Sequence, residues 1–159
     1  MRYTDRMRLK WTEANAVFLP EIDAEHRHLF QIAESLEAAI RGNSGTARIL
    51  ESMRALTAGA EDHFAHEERQ MHSTHYPSLA WHKHQHDTFR KRMQEFSQRI
   101  EDGDSEAAFL VLEFLSGWLK DHTAVTDRML GAHLRNHERA ERESANRNTS
   151  PARQTRLAT

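Results

Sequence analysis

A chain of 159 residues suits one domain, and 38% hydrophobic with 29% charged residues can bury a core while excluding wholesale disorder. A formal net charge of -2 excludes a general electrostatic attraction to nucleic acid or an anionic membrane. The absence of cysteine excludes disulfides, thiolate metal sites and Fe–S clusters. Twelve histidines are many for this length, and any metal must be held by imidazole and carboxylate.

Residues 1–20 carry Trp11, Val17, Phe18 and Leu19 and are expected to form an arm along the rest of the chain. The first helical pattern runs over about 21–41, with Ile22, His26, Leu29, Ala33, Leu36 and Ile40 at 3-4 spacing. Gly42-Asn43-Ser44-Gly45 stops it. The second spans 46–73, its seam reading Ile49, Met53, Leu56, Ala60, His63, Glu67 and Met71. A short connection ending at Pro77 leads to the third, 78–102, with Leu79, His82, His86, Phe89, Met93, Phe96 and Ile100. Asp102-Gly103-Asp104-Ser105 turns the chain again, Asp104 or Ser105 being able to cap the next helix. The fourth, 105–136, carries Leu112, Leu115, Leu119 and His122. The expected fold is all-α, an antiparallel up-down-up-down four-helix bundle over 1–137 with an N-terminal arm, followed by a polar, disordered tail at 138–159.

His26, His63, Glu67, His82, His86 and His122 occupy seam positions that should be apolar. Burying such groups without partners costs on the order of several kcal/mol each. Alternating helix directions bring all six, with Asp127, to one end of the bundle, while Leu36, Ile40, Ile49, Met53, Phe96, Ile100 and Leu112 fill the other. His63 with Glu67, and His82 with His86, are four apart and share a helix face. His122 and Asp127 are five apart. An ideal α-helix would separate them by about 140°, so either Asp127 approaches from the flank or the helix carries a π-bulge. Five imidazoles and two carboxylates exceed the needs of one metal and fit two, with Glu67 and Asp127 as natural bridges. A nitrogen-rich set suits iron better than magnesium or calcium.

Ile22-Asp23-Ala24-Glu25-His26, His63-Phe64-Ala65-His66-Glu67-Glu68, Tyr76-Pro77 followed by His82-Lys83-His84-Gln85-His86, and Trp118-Leu119-Lys120-Asp121-His122 with Asp127 resemble the motifs of the hemerythrin family in its single-domain bacterial form, over about residues 11–130. The resemblance implies a non-haem di-iron centre that binds dioxygen reversibly, for carriage, storage or delivery. It implies that His82, His86 and His122 complete the shell of one iron. His26 and His63 would bind the other, which keeps an open position. Glu67 and Asp127 would bridge both irons together with an oxo or hydroxo group. Leu29, Phe30, Phe64, Trp118 and Leu119 are expected to build a dry oxygen pocket, and Trp118 and Leu119 match family pocket positions. Glu25 stands where many family members have Gln. Pointing inward, it would add charge near the site and favour oxidation over reversible binding.

A ferritin-like di-iron enzyme would need two Glu-x-x-His motifs; Glu25-His26-Arg27-His28 is the one match, and His28 lies off the seam. A zinc protease would need His-Glu-x-x-His, and His66-Glu67-Glu68-Arg69-Gln70 lacks the second histidine. No catalytic residue is therefore expected. Oxygen or redox sensing and peroxide or nitric-oxide handling on the same fold remain the alternative uses. His28, His66, His72, His75 and His84, together with the pair His133 and His137, are expected at the surface. Without an apolar run of roughly 20 residues or an h-region in 1–10, no membrane insertion and a cytoplasmic location are expected.

Overall fold

A computed structural model describes residues 9–149. Its elements are a 3-10 turn (Glu13–Asn15), α1 (Pro20–Arg41), α2 (Thr46–Ser73), α3 (Leu79–Glu101), α4 (Ala107–Asp121), a π-helical segment (His122–Asp127) and α5 (Arg128–Thr149). The last three run on as one rod, so the architecture is the expected four-helix bundle, and no strand occurs among the described residues. Pro20 opens α1 at a position where its missing N–H costs nothing, with Glu21 and Asp23 in the positive first turn. Asn43 takes positive φ just past α1, the conformation that ends a helix sharply, and Gly45 at φ 86 is the N-cap of α2. Gly103 at φ 85 takes the same conformation between α3 and α4.

Short connections make successive helices antiparallel neighbours, and α4 also packs on α1 to close the bundle. The apolar core divides in two. The larger cluster fills the body of the bundle, with Leu36, Met53, Leu56, Phe89, Phe96, Leu112 and Leu115 each almost wholly buried. A smaller one, made of Val17, Ile22, Met71, Tyr76, Leu130 and Leu134, closes the end where α1 begins and α2 finishes.

The arm lies along the rod formed by α4, the π segment and α5. The Arg128 guanidinium donates to the carbonyls of Ala16 (3.0 Å) and Ala14 (2.7 Å), and Arg135 donates to that of Val17. The buried Asn15 amide donates to Thr123 Oγ1 at 2.8 Å, and Asp23 accepts from the Val17 N–H at 2.8 Å. Leu9 and Val17 are buried as an arm requires, but Phe18 is not part of its apolar side. Phe18 is 61% exposed at φ 63, its ring beneath the guanidiniums of Arg128 and Arg135.

The expected irregular tail is corrected in its first half: 138–149 continue α5 as an exposed helix. This stretch is rich in Glu, Arg and Ala, good helix formers, with the i,i+4 pairs His137–Glu141 and Glu138–Arg142 at 3.8 and 3.7 Å. The remainder, 150–159, falls outside the described residues. No described helix is long and apolar enough to cross a membrane.

Candidate metal centre

The π segment resolves the awkward spacing of His122 and Asp127. Six residues wound with an extra residue per turn bring positions five apart onto one face, and both side chains are buried. The Thr123 hydroxyl donates to the Leu119 carbonyl at 2.8 Å, partnering a carbonyl where the helix widens. His122 Nε2 thus comes to 3.0 Å from Asp127 Oδ1.

All seven residues singled out in the sequence meet here: His26, His63, Glu67, His82, His86, His122 and Asp127 are each no more than 4% exposed. They form two groups. Glu67, His82, His86, His122 and Asp127 hold ligand atoms within 4.8 Å of one another, and so do His26, His63, Glu67 and Asp127. Glu67 and Asp127 belong to both. Asp127 splits its oxygens, Oδ2 lying 3.0 Å from His26 Nε2 and Oδ1 3.1 Å from His82 Nε2. Glu67 Oε2 lies 3.2 Å from both His82 Nε2 and His86 Nε2.

The contents of this pocket fit a metal pair better than a hydrogen-bonded core. Glu67 Oε1, His86 Nε2, His122 Nε2 and both Asp127 oxygens are buried without a hydrogen-bond partner, although other polar atoms lie near. Buried polar atoms are otherwise paired. Two donors about 2.1 Å from one ion and at right angles to each other lie about 3.0 Å apart, close to the N···O separations observed.

Electrostatics within the group are severe. Burial alone would push the His63 imidazolium down, but the Glu67 charge, the nearby Asp127 carboxylate and the hydrogen bond to Glu25 outweigh it, leaving its pKa raised to about 10. His82, despite burial, is raised to about 9 by Asp127 and Glu67. His122 goes the other way, burial outweighing its carboxylate neighbours. Burial and mutual repulsion oppose the ionisation of Glu67 and Asp127, yet the surrounding imidazoles hold both below the usual carboxylate range. The pocket therefore holds protons on imidazole whose positive charge a bound cation can replace.

Aromatic rings fix the imidazole planes. Phe64 stacks on His86 at 3.9 Å and 11°, and Trp118 stacks on His122 at 4.2 Å and 13°. Beside His26, His63, His122 and Asp127 lies a small, partly enclosed apolar cavity with room for about one water-sized molecule. Leu29, Phe64, Trp118 and Leu119 line it as expected. Phe30 does not: it is buried in the larger core on the neighbouring face of α1. Leu56, Ala60, Phe89 and Thr123 complete the wall. Leu56 and Ala60 precede His63 on the same seam, and Phe89 follows His86 by three residues, so 3-4 spacing from the candidate ligands was the signal for them.

Two further placements differ from expectation. His66 is half-buried and contacts Glu25 at 2.6 Å, because the preceding turn of α1 lies across it. His133 packs on Tyr76 at 5.0 Å with Nε2 3.0 Å from Thr74 Oγ1, since α5 runs past the end of α2. His28, His72, His75 and His84 are exposed or half-exposed, and His137 is half-buried beside Glu141. Glu25 does not point into the pocket between the candidate ligands; its carboxylate meets the outer nitrogen of His63 at 2.7 Å.

Residues 17–134 match the Hemerythrin HHE cation binding domain. The chain is 30% identical over 122 residues to a bacteriohemerythrin of Clostridium acetobutylicum, an alignment covering 74% of this chain and 95% of that protein. It is 29% identical over 117 residues to a hemerythrin subunit of Sipunculus nudus, covering 74% of this chain and 86% of that protein. It is 28% identical over 118 residues to a myohemerythrin of Theromyzon tessulatum, covering 74% and 87%. With its bundle matched across 17–134 and its buried imidazoles and carboxylates on four helices, the chain belongs to the hemerythrin family.

Proposed function

We propose that this chain holds two non-haem irons and binds dioxygen reversibly. One observation carries the reading: two buried groups of candidate ligands share both of their carboxylates, Glu67 and Asp127, next to a small apolar cavity. His82, His86 and His122 would serve one iron, His26 and His63 the other, with Glu67 and Asp127 bridging. The group with fewer imidazoles would have a coordination position to spare, and both of its imidazoles line the cavity, together with His122 of the other group. When bound, a ferrous pair supplies the electrons that dioxygen draws on as it binds.

The protein's own part is to position and to exclude. Phe64 and Trp118 hold His86 and His122 in plane. Leu29, Leu56, Phe89 and Leu119 line the cavity with apolar surface, which would exclude water and protons from the site. The functional unit is the bundle through His137; 138–159 lie beyond it. No nucleic acid partner is part of this reading.

Iron content and the visible spectrum test it, with the protein reduced anaerobically and then exposed to oxygen. Two irons per chain and an oxygen-dependent absorption band that disappears under vacuum are expected. A chain that takes up no iron, or one that oxidises at once with no reversible band, overturns the reading; in the latter case turnover of peroxide or nitric oxide becomes the activity to assay.

A further inference from the structure

Outside the candidate ligand set, one group of side chains is joined end to end. Glu25 Oε2 lies 2.7 Å from His63 Nδ1, and Glu25 Oε1 lies 2.6 Å from His66 Nδ1. His66 Nε2 lies 2.9 Å from the Gln70 side-chain nitrogen. The proton positions follow from chemistry. A carboxylate oxygen accepts, so His66 Nδ1 carries the hydrogen that Glu25 takes. Both Glu25 oxygens are then acceptors, and His63 meets them with Nδ1–H. With Nδ1–H so fixed, Nε2 is the nitrogen left to offer its lone pair to a metal, and it lies 3.1 Å from His26 Nε2. Glu25 immediately precedes His26 on α1 while gripping His63 and His66 on α2. One carboxylate therefore ties the neighbour of one imidazole to the back of the other.

The opposite side of the site has a similar contact in a different setting. Glu68 Oε1 lies 3.1 Å from His86 Nδ1, but its carboxylate also pairs with Lys83 and Arg90, each at 3.5 Å. Cations thus stand beside the carboxylate behind His86, shared with Glu61 and Asp87. Glu25 is instead partnered by imidazoles alone, His63 on one oxygen and His66 on the other.

We propose that Glu25 is a positioning residue for the metal held by His26 and His63. It fixes the tautomer and plane of His63 and makes that imidazole the more electron-donating, so that this metal favours its higher oxidation state relative to its neighbour. His66, fixed in turn by Gln70, holds Glu25 in place. The effect follows from the general behaviour of carboxylates behind metal-bound imidazoles. This inference rests on the two-iron reading above and goes beyond it by making the two sites unequal.

The test uses the iron-loaded full chain with Glu25→Ala, Glu25→Gln and, for comparison, Glu68→Gln. Iron loss to a ferrous chelator is followed in time, together with the midpoint potential of the iron pair; helix content is checked by circular dichroism. Glu25→Ala should speed the loss of one of the two irons by roughly 10–100-fold, the usual cost of removing such a partner. Glu25→Gln keeps the shape and removes the charge, so it should raise the potential and raise it more than Glu68→Gln does. A wild-type chain that takes up no iron overturns the parent reading as well. A wild-type chain with two irons overturns this inference alone if Glu25→Ala loses them at the wild-type rate. Should Glu25→Ala fail to fold, an unchanged potential in Glu25→Gln overturns the inference equally.

Discussion

Removing the metals should cost this fold much of its stability, and the size of the loss can be worked from the site. Five buried atoms facing the cluster lack hydrogen-bond partners: Glu67 Oε1, His86 Nε2, His122 Nε2 and the two Asp127 oxygens. At about 1–3 kcal/mol for each unsatisfied group, the metal-free chain carries roughly 5–15 kcal/mol of unmet polar interaction. That is comparable to the whole stability of a typical domain. Coordination removes this burden. A single site filled at 1,000 times its dissociation constant stabilises by about 4.1 kcal/mol, which in a domain of this size raises the melting temperature by roughly 8–16 °C. Two sites should give about twice that. The assay is thermal unfolding followed by circular dichroism, comparing chelator-stripped protein with protein loaded anaerobically with ferrous iron. His86→Ala should forfeit part of the gain. Equal melting temperatures for stripped and loaded protein would refute the reasoning, and an equal gain from magnesium would refute nitrogen ligation.

Loading should also release protons. His63, raised to about 10, and His82, raised to about 9, are cationic near neutral pH in the metal-free chain, and a metal must displace those protons. An indicator dye in weak buffer should report them, and apparent affinity should rise with pH; pH-independent uptake would contradict the assignment. Both values lie above the unfolded value near 6.5, so their stabilisation of the metal-free fold is complete below about pH 6.5 and is lost as pH climbs through 9 and 10. Alkaline melts of stripped protein check that sign. At the far end, Leu36 is fully buried, and Leu36→Ala should destabilise by about 2–5 kcal/mol in urea while leaving iron content at the wild-type level. Gly131→Ala would place a Cβ 2.8 Å from the Val17 carbonyl oxygen. It should displace the arm at a cost of about 1–3 kcal/mol, seen as faster proteolysis before Pro20.

The candidate ligands were legible because each one interrupts an apolar seam. A histidine or glutamate at a 3-4 position is conspicuous, and alternating helix directions place six such interruptions at the same end. Asp127 was harder, since an α-helical count puts it off the face; only the π segment restores it. Nothing local in His122-Thr123-Ala124-Val125-Thr126-Asp127 announces that segment, whose stability comes from Asn15 across the arm and from Thr123 on Leu119. Phe30 shows the limit of reading a pocket by proximity along the chain: it adjoins Leu29 in sequence, but a helix turns about 100° per residue and carries it to another face. The outer contacts of Glu25 and Glu68 were out of reach because they depend on how closely neighbouring helices approach. The helical extension through Thr149 was missed because low apolar content argues against a core, and an exposed helix needs none.

The division of the core into two apolar clusters has a kinetic consequence. The larger cluster can hold the body of the bundle together whether or not the end cap is closed, because the layer of imidazoles and carboxylates separates the two. The cap of Val17, Ile22, Met71, Tyr76, Leu130 and Leu134 is a small unit and so opens at a lower free energy than the whole. Each opening bares the imidazoles from one side while their helices stay in register. Ion exchange is thereby governed by the breathing of a cap and the arm that latches it, and the lifetime of the loaded state becomes a property separate from its affinity.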